Sequence, residues 1–445
     1  MKKLALLTIT VALLLFTGCK NQRPDMTGLL KTVPSSAAAV VGIHLQSLAE
    51  DAGCKITDNE IKPGKEVKAM MEKMSDSDRA ELLNLFSGSS GIVPDYALTF
   101  VDANRAFLTL SLYDVKKFKE FVKKDKESEF TDAGNGVQIC KNVAIKDNQA
   151  WICLSTSKQI DADAIAAYAG LSKSQSFLNT DMAKVILESD CDVIGWGNFK
   201  TLVSSFLSRK NMSGVMLASG FLFEDVDAVQ FSLDFDKGEM EASALFLDDE
   251  GKPAKYLLPA EKIDIKAVKE LGGSCDGVLA FTINPKLVQK IEKVSSSLGG
   301  AMFGDIKETL KNIDGTVAIS IGMHQEAVNG LITTKGKVSN QLNAFLSMMT
   351  SNVEPDGKYL RFSKGNVTGG LSIDECADLL KGYSIGLAAD LQGMQSAASD
   401  YGNLPSSLST FAIGLEPYSG SLRLSIELKT ADDKENFLLS VIKAM

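Results

Sequence analysis

The clearest pattern of apolar and polar positions lies near the end of the chain. Phe411, Ile413 and Leu415 alternate with small or polar residues, and a turn follows at Pro417-Tyr418-Ser419-Gly420. Leu422, Leu424, Ile426 and Leu428 then alternate with Arg423, Ser425, Glu427 and Lys429. Period two, with one apolar and one wet face, predicts an antiparallel hairpin lying on a core. Thr430-Ala431-Asp432-Asp433 reads as a helix start, and Phe437, Leu438, Val441 and Ile442 give that helix an apolar face. The same hairpin-then-helix order is expected at 96–124, through Leu108, Leu110 and Leu112 and then Val115, Phe118 and Phe121. It is expected again at 316–349, where Val317, Ile319 and Ile321 lead to a helix around Leu342, Phe345 and Leu346. At 228–247 a hairpin turns on Asp236-Lys237-Gly238, but Gly251 and Pro253 interrupt the helix that would follow.

Between these hairpins an apolar strand running straight into a helix recurs. The copies begin Val40-Val41-Gly42-Ile43-His44, Val193-Ile194-Gly195-Trp196-Gly197, Val278-Leu279-Ala280-Phe281-Thr282 and Ile385-Gly386-Leu387-Ala388-Ala389. Asn198, Asn284 and Asp390 stand at the joints, each able to accept from a free first-turn amide, and Pro285 follows at a first helical position. An extra hairpin is expected at 137–155, turning near Asp147-Asn148. The fold class that follows is α+β. Two related halves, 28–250 and 265–445, are each expected to be mainly antiparallel sheet with helices packed on one face. Each half is built from repeated strand-helix plus hairpin-helix modules. The hydrophilic stretch Asp248-Asp249-Glu250-Gly251-Lys252-Pro253 and the residues to Asp264 divide them. Uneven spacing between the copies argues against a stacked solenoid.

The start of the chain has a different logic. Lys2 and Lys3 precede an apolar run from Leu4 to Phe16, and Leu15-Phe16-Thr17-Gly18-Cys19 closes it. A helix of that length rises about 20 Å, short of the ~30 Å hydrocarbon core. Charged start, apolar run and small residues before a cysteine are the layout of a lipoprotein signal peptide. The reading is a leader over 1–18, acyl chains of the palmitate type on Cys19, and a polar tether over 19–27 containing Pro24. The tether holds no acidic cluster, which favours the periplasmic face of the outer membrane over surface display.

The residues after the tether carry a resemblance. The Cys19 box is followed by Val33-Pro34-Ser35-Ser36-Ala37-Ala38-Ala39-Val40-Val41-Gly42-Ile43-His44-Leu45-Gln46-Ser47-Leu48. This opening is similar to that of a family of uncharacterised lipoproteins from Bacteroides-type bacteria, defined only as a domain of unknown function. The resemblance implies an anchored envelope protein. It supplies no activity and no catalytic residues.

Composition narrows the chemistry further. The chain has 445 residues and a formal charge of −9, and loss of Lys2 and Lys3 with the leader makes it −11. An acidic protein gains nothing from counterion release, so no nucleic acid is expected as partner. No phosphate loop occurs, so no nucleotide is expected either. Among the cysteines beyond Cys19, Cys140 and Cys153 are candidates for a disulfide if they face one another across a hairpin. Cys54, Cys191, Cys275 and Cys376 read as small buried apolar residues. There is no C-x-x-C pair and there are only two histidines, His44 and His324, so no metal and no cofactor is expected. Gly382-Tyr383-Ser384-Ile385-Gly386 matches a nucleophile pattern, but helix precedes the serine, strand follows it, and both histidines stand upstream. Asp234 to Gly238 is better read as a turn than as a calcium loop. The expected function is that of a membrane-anchored envelope lipoprotein with a non-catalytic binding or structural role. Its partners would be the membrane, through the lipid on Cys19, and an envelope protein or glycan. The alternative is an envelope glycan hydrolase using paired carboxylates.

Overall fold

The computed structural model describes residues 26–57, 59–102, 105–123, 129–154, 160–201, 225–254, 261–284, 288–289, 308, 310, 312–397 and 405–444. The leader, Cys19 and the tether as far as residue 25 lie outside these residues, as do Pro285, Lys286 and Leu287. The chain is α+β, with extended antiparallel sheet and shorter helices. It divides into two compact units. The first takes Met1–Leu202, Ala228–Met240 and Asp432–Met445, and the second takes Val203–Asp227 and Glu241–Ala431. These differ from the expected spans 28–250 and 265–445 because the 228–247 hairpin is shared and the last helix returns to the first unit.

In the first unit we label β1 (Ala39–His44), α1 (Leu45–Asp51), β2 (Ile92–Asp102), β3 (Arg105–Leu112) and α2 (Val115–Val122). There follow β4 (Gln138–Cys140), β5 (Val143–Lys146), β6 (Gln149–Cys153), α3 (Ala162–Ala169), β7 (Val193–Asn198) and β8 (Ala228–Phe235). The strands are all antiparallel, in the order β4-β5-β6-β3-β2-β1-β7-β8. Helix starts fall where the sequence offers an acceptor. Asp114 takes the amides of Lys116 and Lys117 at 2.9 and 3.0 Å, and Asn198 takes that of Thr201 at 2.9 Å. The core is aromatic at its centre. Phe100 and Phe107 stack at 5.1 Å between centroids, and Tyr168 of α3 meets both edge-on at 5.5 and 5.6 Å. Trp151 and Ile165 are buried in the same cluster, and Trp196 packs against it, as its place in a repeated strand implies.

β9 (Glu239–Leu247) carries the chain onward. The second unit contains α4 (Ile265–Lys269), β10 (Ser274–Cys275), β11 (Gly277–Ile283), β12 (Ile313–Gly322), β13 (Ala327–Thr334) and α5 (Asn340–Met349). After them come β14 (Asn352–Asp356), β15 (Tyr359–Lys364), β16 (Leu371–Ser372), α6 (Ile373–Leu379), β17 (Ile385–Asp390), α7 (Leu391–Ala397), β18 (Leu408–Tyr418) and β19 (Ser421–Thr430). The main sheet, again antiparallel, runs β14-β15-β13-β12-β11-β17-β18-β19. In the first sheet β1 pairs with β7, next to β8, and in the second β11 pairs with β17. β10 and β16 form a separate two-stranded ladder.

Two helices depart from expectation. The last one, α8 (Phe437–Ala444), starts later than Thr430–Asp433; Asn436 accepts the Leu438 amide at 2.9 Å and sets its beginning. The chain from Asp433 to Phe437 first hugs the turn after β8. Gly238, at φ +73°, donates to the Glu435 carbonyl at 2.8 Å, and Phe437 donates to Asp236 at 2.9 Å while its ring meets Phe235 at 6.1 Å. A side chain at Gly238 would collide with the backbone of Asp433. In α5, Leu342 and Leu346 are buried as expected, but Phe345 is 55% exposed.

Candidate functional site

The structure does not bring Cys140 and Cys153 together. The turn at Asp147-Asn148 joins β5 to β6, so Cys140 lies one strand further out, on β4. Cys140 faces Val143 and Val143 faces Ile152. The backbones at Cys140 and Cys153 are thus two strand spacings apart, roughly 9.5 Å, against a usual Cα limit of about 7 Å for a disulfide. Both are buried and free. The expectation failed because alternation locates arms and turns but does not say which neighbouring arm a residue belongs to.

Two arrangements that sequence reasoning missed do concentrate reactive side chains. The first is an acid cluster in the first unit. β1 ends at His44, whose ring lies edge-on to Tyr96 at 5.0 Å and whose amide donates to the Asp192 carbonyl at 2.9 Å. One turn into α1, the Ser47 hydroxyl donates to one carboxylate oxygen of Asp192. The other oxygen accepts the Phe235 amide at 2.9 Å. Asp192, almost wholly buried just before β7, thereby ties together the ends of β1, α1 and β8. Burial pushes its carboxyl up to about 6, with Asp234 adding to the rise and the Ser47 and Phe235 hydrogen bonds opposing it. Asp51, the last residue of α1, is pushed up to about 8, first by burial and then by Asp192, Asp234, Asp236 and Glu50.

The second unit also holds a buried aspartate engaged by backbone amides. Asp276, buried just before β11, accepts the Met323 amide at 2.7 Å on its carboxylate and the Asp390 amide at 2.8 Å on its carbonyl. Asp390 in turn caps α7 by accepting the Gln392 amide at 3.0 Å. A signal for this was present in the sequence. The dipeptides Cys191-Asp192 and Cys275-Asp276 each stand immediately before a repeated strand.

The second arrangement is a thiol pair. Cys275 of β10 and Cys376 of α6 are both fully buried, with their sulfurs 3.7 Å apart and 101 positions between them. No local sequence signal could have joined residues so far apart.

Chemically, the Asp192 carboxylate is enclosed and has both oxygens engaged by the fold. It is placed to hold strand ends, not to protonate an exposed substrate. Ser384 of the Gly-x-Ser-x-Gly match is buried between α6 and β17, in the expected helix–serine–strand order. His324 lies in the β12–β13 turn. Among the described residues there is no group of three or more His, Cys, Asp or Glu side chains placed to hold a metal ion. Among the same residues, no helix is long and apolar enough to cross a membrane.

No family model matches this chain, and no curated protein matches it. Solved structures of TP0453 are similar to it. Crystal form III is 9% identical with a TM-score of 0.30, over 81% of this chain and 98% of that one. Crystal form I is 10% identical with a TM-score of 0.30, over 81% and 97%. Crystal form IV is 11% identical with a TM-score of 0.30, over 50% and 81%. A likeness this distant carries no argument about fold or function.

Proposed function

We propose that this chain is a lipid-anchored envelope lipoprotein with a non-catalytic binding or structural role, of the kind the family resemblance implies. The observation that carries the reading is the Cys19 box behind its charged and apolar leader. In the mature protein, acyl chains on Cys19 hold the body at the periplasmic face of the outer membrane. The tether is shorter than expected and ends before Met26, which is buried in the core, and Thr27, which opens a helix. The body is made of two related halves of strand-helix and hairpin-helix modules. The recurring Cys-Asp dipeptide and the antiparallel pairing of β1 with β7 and of β11 with β17 support that duplication. The commitment of Asp192 and Asp276 to backbone amides supports a role for these buried acids in architecture.

Mass spectrometry of the mature amino terminus tests the anchor. The expected species begins at Cys19 and carries acyl chains, and Cys19→Ser moves the protein from the membrane to the soluble fraction. An unmodified start, or a start at another residue, overturns the reading. Release of sugars from envelope glycans by the purified chain would overturn the non-catalytic part and favour the carboxylate hydrolase instead.

A further inference from the structure

The β10–β16 ladder pairs Ser274 with Ser372 and Cys275 with Leu371. β16 runs directly into α6, so this register sets Cys275 against the first turns of that helix. Ser372 and Glu375 close a capping box there, with the Glu375 amide on the Ser372 hydroxyl at 3.2 Å and the Ser372 amide on the Glu375 carboxylate at 2.9 Å. Cys376 lies on the buried face of α6 with Ile373 and Ala377. The chain before β16 passes so near Cys275 and Asp276 that a side chain at Gly369 would fall inside their backbone. Both cysteines are therefore held by short, well-fixed elements.

We propose that Cys275 and Cys376 are a disulfide-forming pair that covalently ties β10 to α6. Their sulfurs, at 3.7 Å, need only side-chain rotation and a small approach to reach a bond length of about 2.05 Å. The two thiols are unequal. The hydrogen bond with Cys376, helped by the Gly277 amide, holds Cys275 below the usual thiol range. The same contact and burial push Cys376 up. Cys275 is thus the attacking group. With a small-molecule disulfide as oxidant, the Cys275 thiolate attacks one sulfur, the oxidant's S–S bond breaks, and one thiolate leaves and takes up a proton. Cys376 then gives its proton to water and attacks the Cys275 sulfur, and the second thiol leaves. Two protein thiols are oxidised and one disulfide is reduced to two thiols. Because both sulfurs are buried, the first attack occurs when the two-residue ladder opens or before it has formed. The proposal does not depend on the anchoring reading.

The test uses the full chain and oxidised glutathione at pH 8. The oxidant is given once to the folded protein and once during refolding from urea. Free thiols are then alkylated in denaturant and the chain is cut with trypsin. The expected product joins the peptide 270–286 to the peptide 365–381, two hydrogens lighter than their reduced sum, and a reductant separates them. The oxidised chain also gains a calorimetric Tm on the order of 10 °C over the reduced chain, as expected for closing a long loop. Cys275→Ser and Cys376→Ser each remove both effects. Recovery of both peptides alkylated in both arms overturns the proposal. So does their recovery as separate glutathione adducts, or joined to other cysteines.

Discussion

Asp51→Asn isolates the electrostatic cost of the acid cluster. In the native chain the Asp51 carboxyl is raised from 3.8 to about 8, by burial first and then by Asp192, Asp234, Asp236 and Glu50. It also ends α1, where the helix dipole disfavours negative charge. Below pH ~4 the group is protonated whether the chain is folded or not, and nothing is lost. Between about 4 and 8 the unfolded chain gives up the proton and the native chain keeps it. Unfolding then releases a proton, so stability falls as pH rises, and it levels off above about 8. Asp192, raised to about 6, adds a slope of the same sign over the lower part of that window. A shift of this size at about 1.4 kcal/mol per unit sets an upper limit of roughly 5–6 kcal/mol. Partial exposure of Asp51 and solvent screening reduce it to roughly 2–3 kcal/mol. Asparagine keeps the shape and never ionises. The variant should therefore exceed the parent by roughly 2–3 kcal/mol at pH 8 and by less than about 0.5 kcal/mol at pH 4. Both tryptophans, Trp151 and Trp196, lie in the first unit, so urea unfolding followed by tryptophan fluorescence reads that unit alone. An equal gain at both pH values would indicate a local helix effect. That result, or a loss at pH 8, refutes the reasoning.

Three further outcomes can be measured. Phe100→Ala empties the centre of the Phe100–Phe107–Tyr168 cluster and should cost the first unit about 3–5 kcal/mol in the same fluorescence assay. Gly369→Ala forces a methyl into the Cys275–Asp276 backbone and should cost the second unit about 3 kcal/mol, with the calorimetric transition of that unit falling and tryptophan fluorescence unchanged. Ser372→Ala removes half of the α6 capping box and should cost about 1 kcal/mol, read as faster amide exchange in the first turn of α6.

Much of the local structure was legible in the residues. The hairpin at Phe411–Leu428 is β18–β19, with Leu415 opposite Leu424 in register, but the expected division into a buried apolar face and a wet face does not hold. Phe411, Ile413, Leu415, Leu424, Ile426 and Leu428 are only partly buried, while Ala412 on the other face lies in the core. The helix at Val115–Val122 begins behind Asp114, and the four apolar strands expected from Val40, Val193, Val278 and Ile385 are β1, β7, β11 and β17. These succeed because period, turn chemistry and caps are properties of a few consecutive residues. Where the sequence misled, the cause was distant. Phe345 fits an apolar face but remains largely exposed. The last helix was assigned to its nearest hairpin, yet Phe437 lies against Phe235, some two hundred positions earlier.

The sequence by itself thus determined most of the elements and the α+β class, since both are written in short-range pattern. Only the tertiary structure decided which cysteines meet and which acids share a buried space. Cys275 reaches Cys376 because β10 pairs with β16, and Asp192 reaches Ser47 and Phe235 because β1, β7 and β8 lie side by side. Strand pairing joins residues by register across the sheet, and register depends on every strand between them, so no stretch of chain carries it alone.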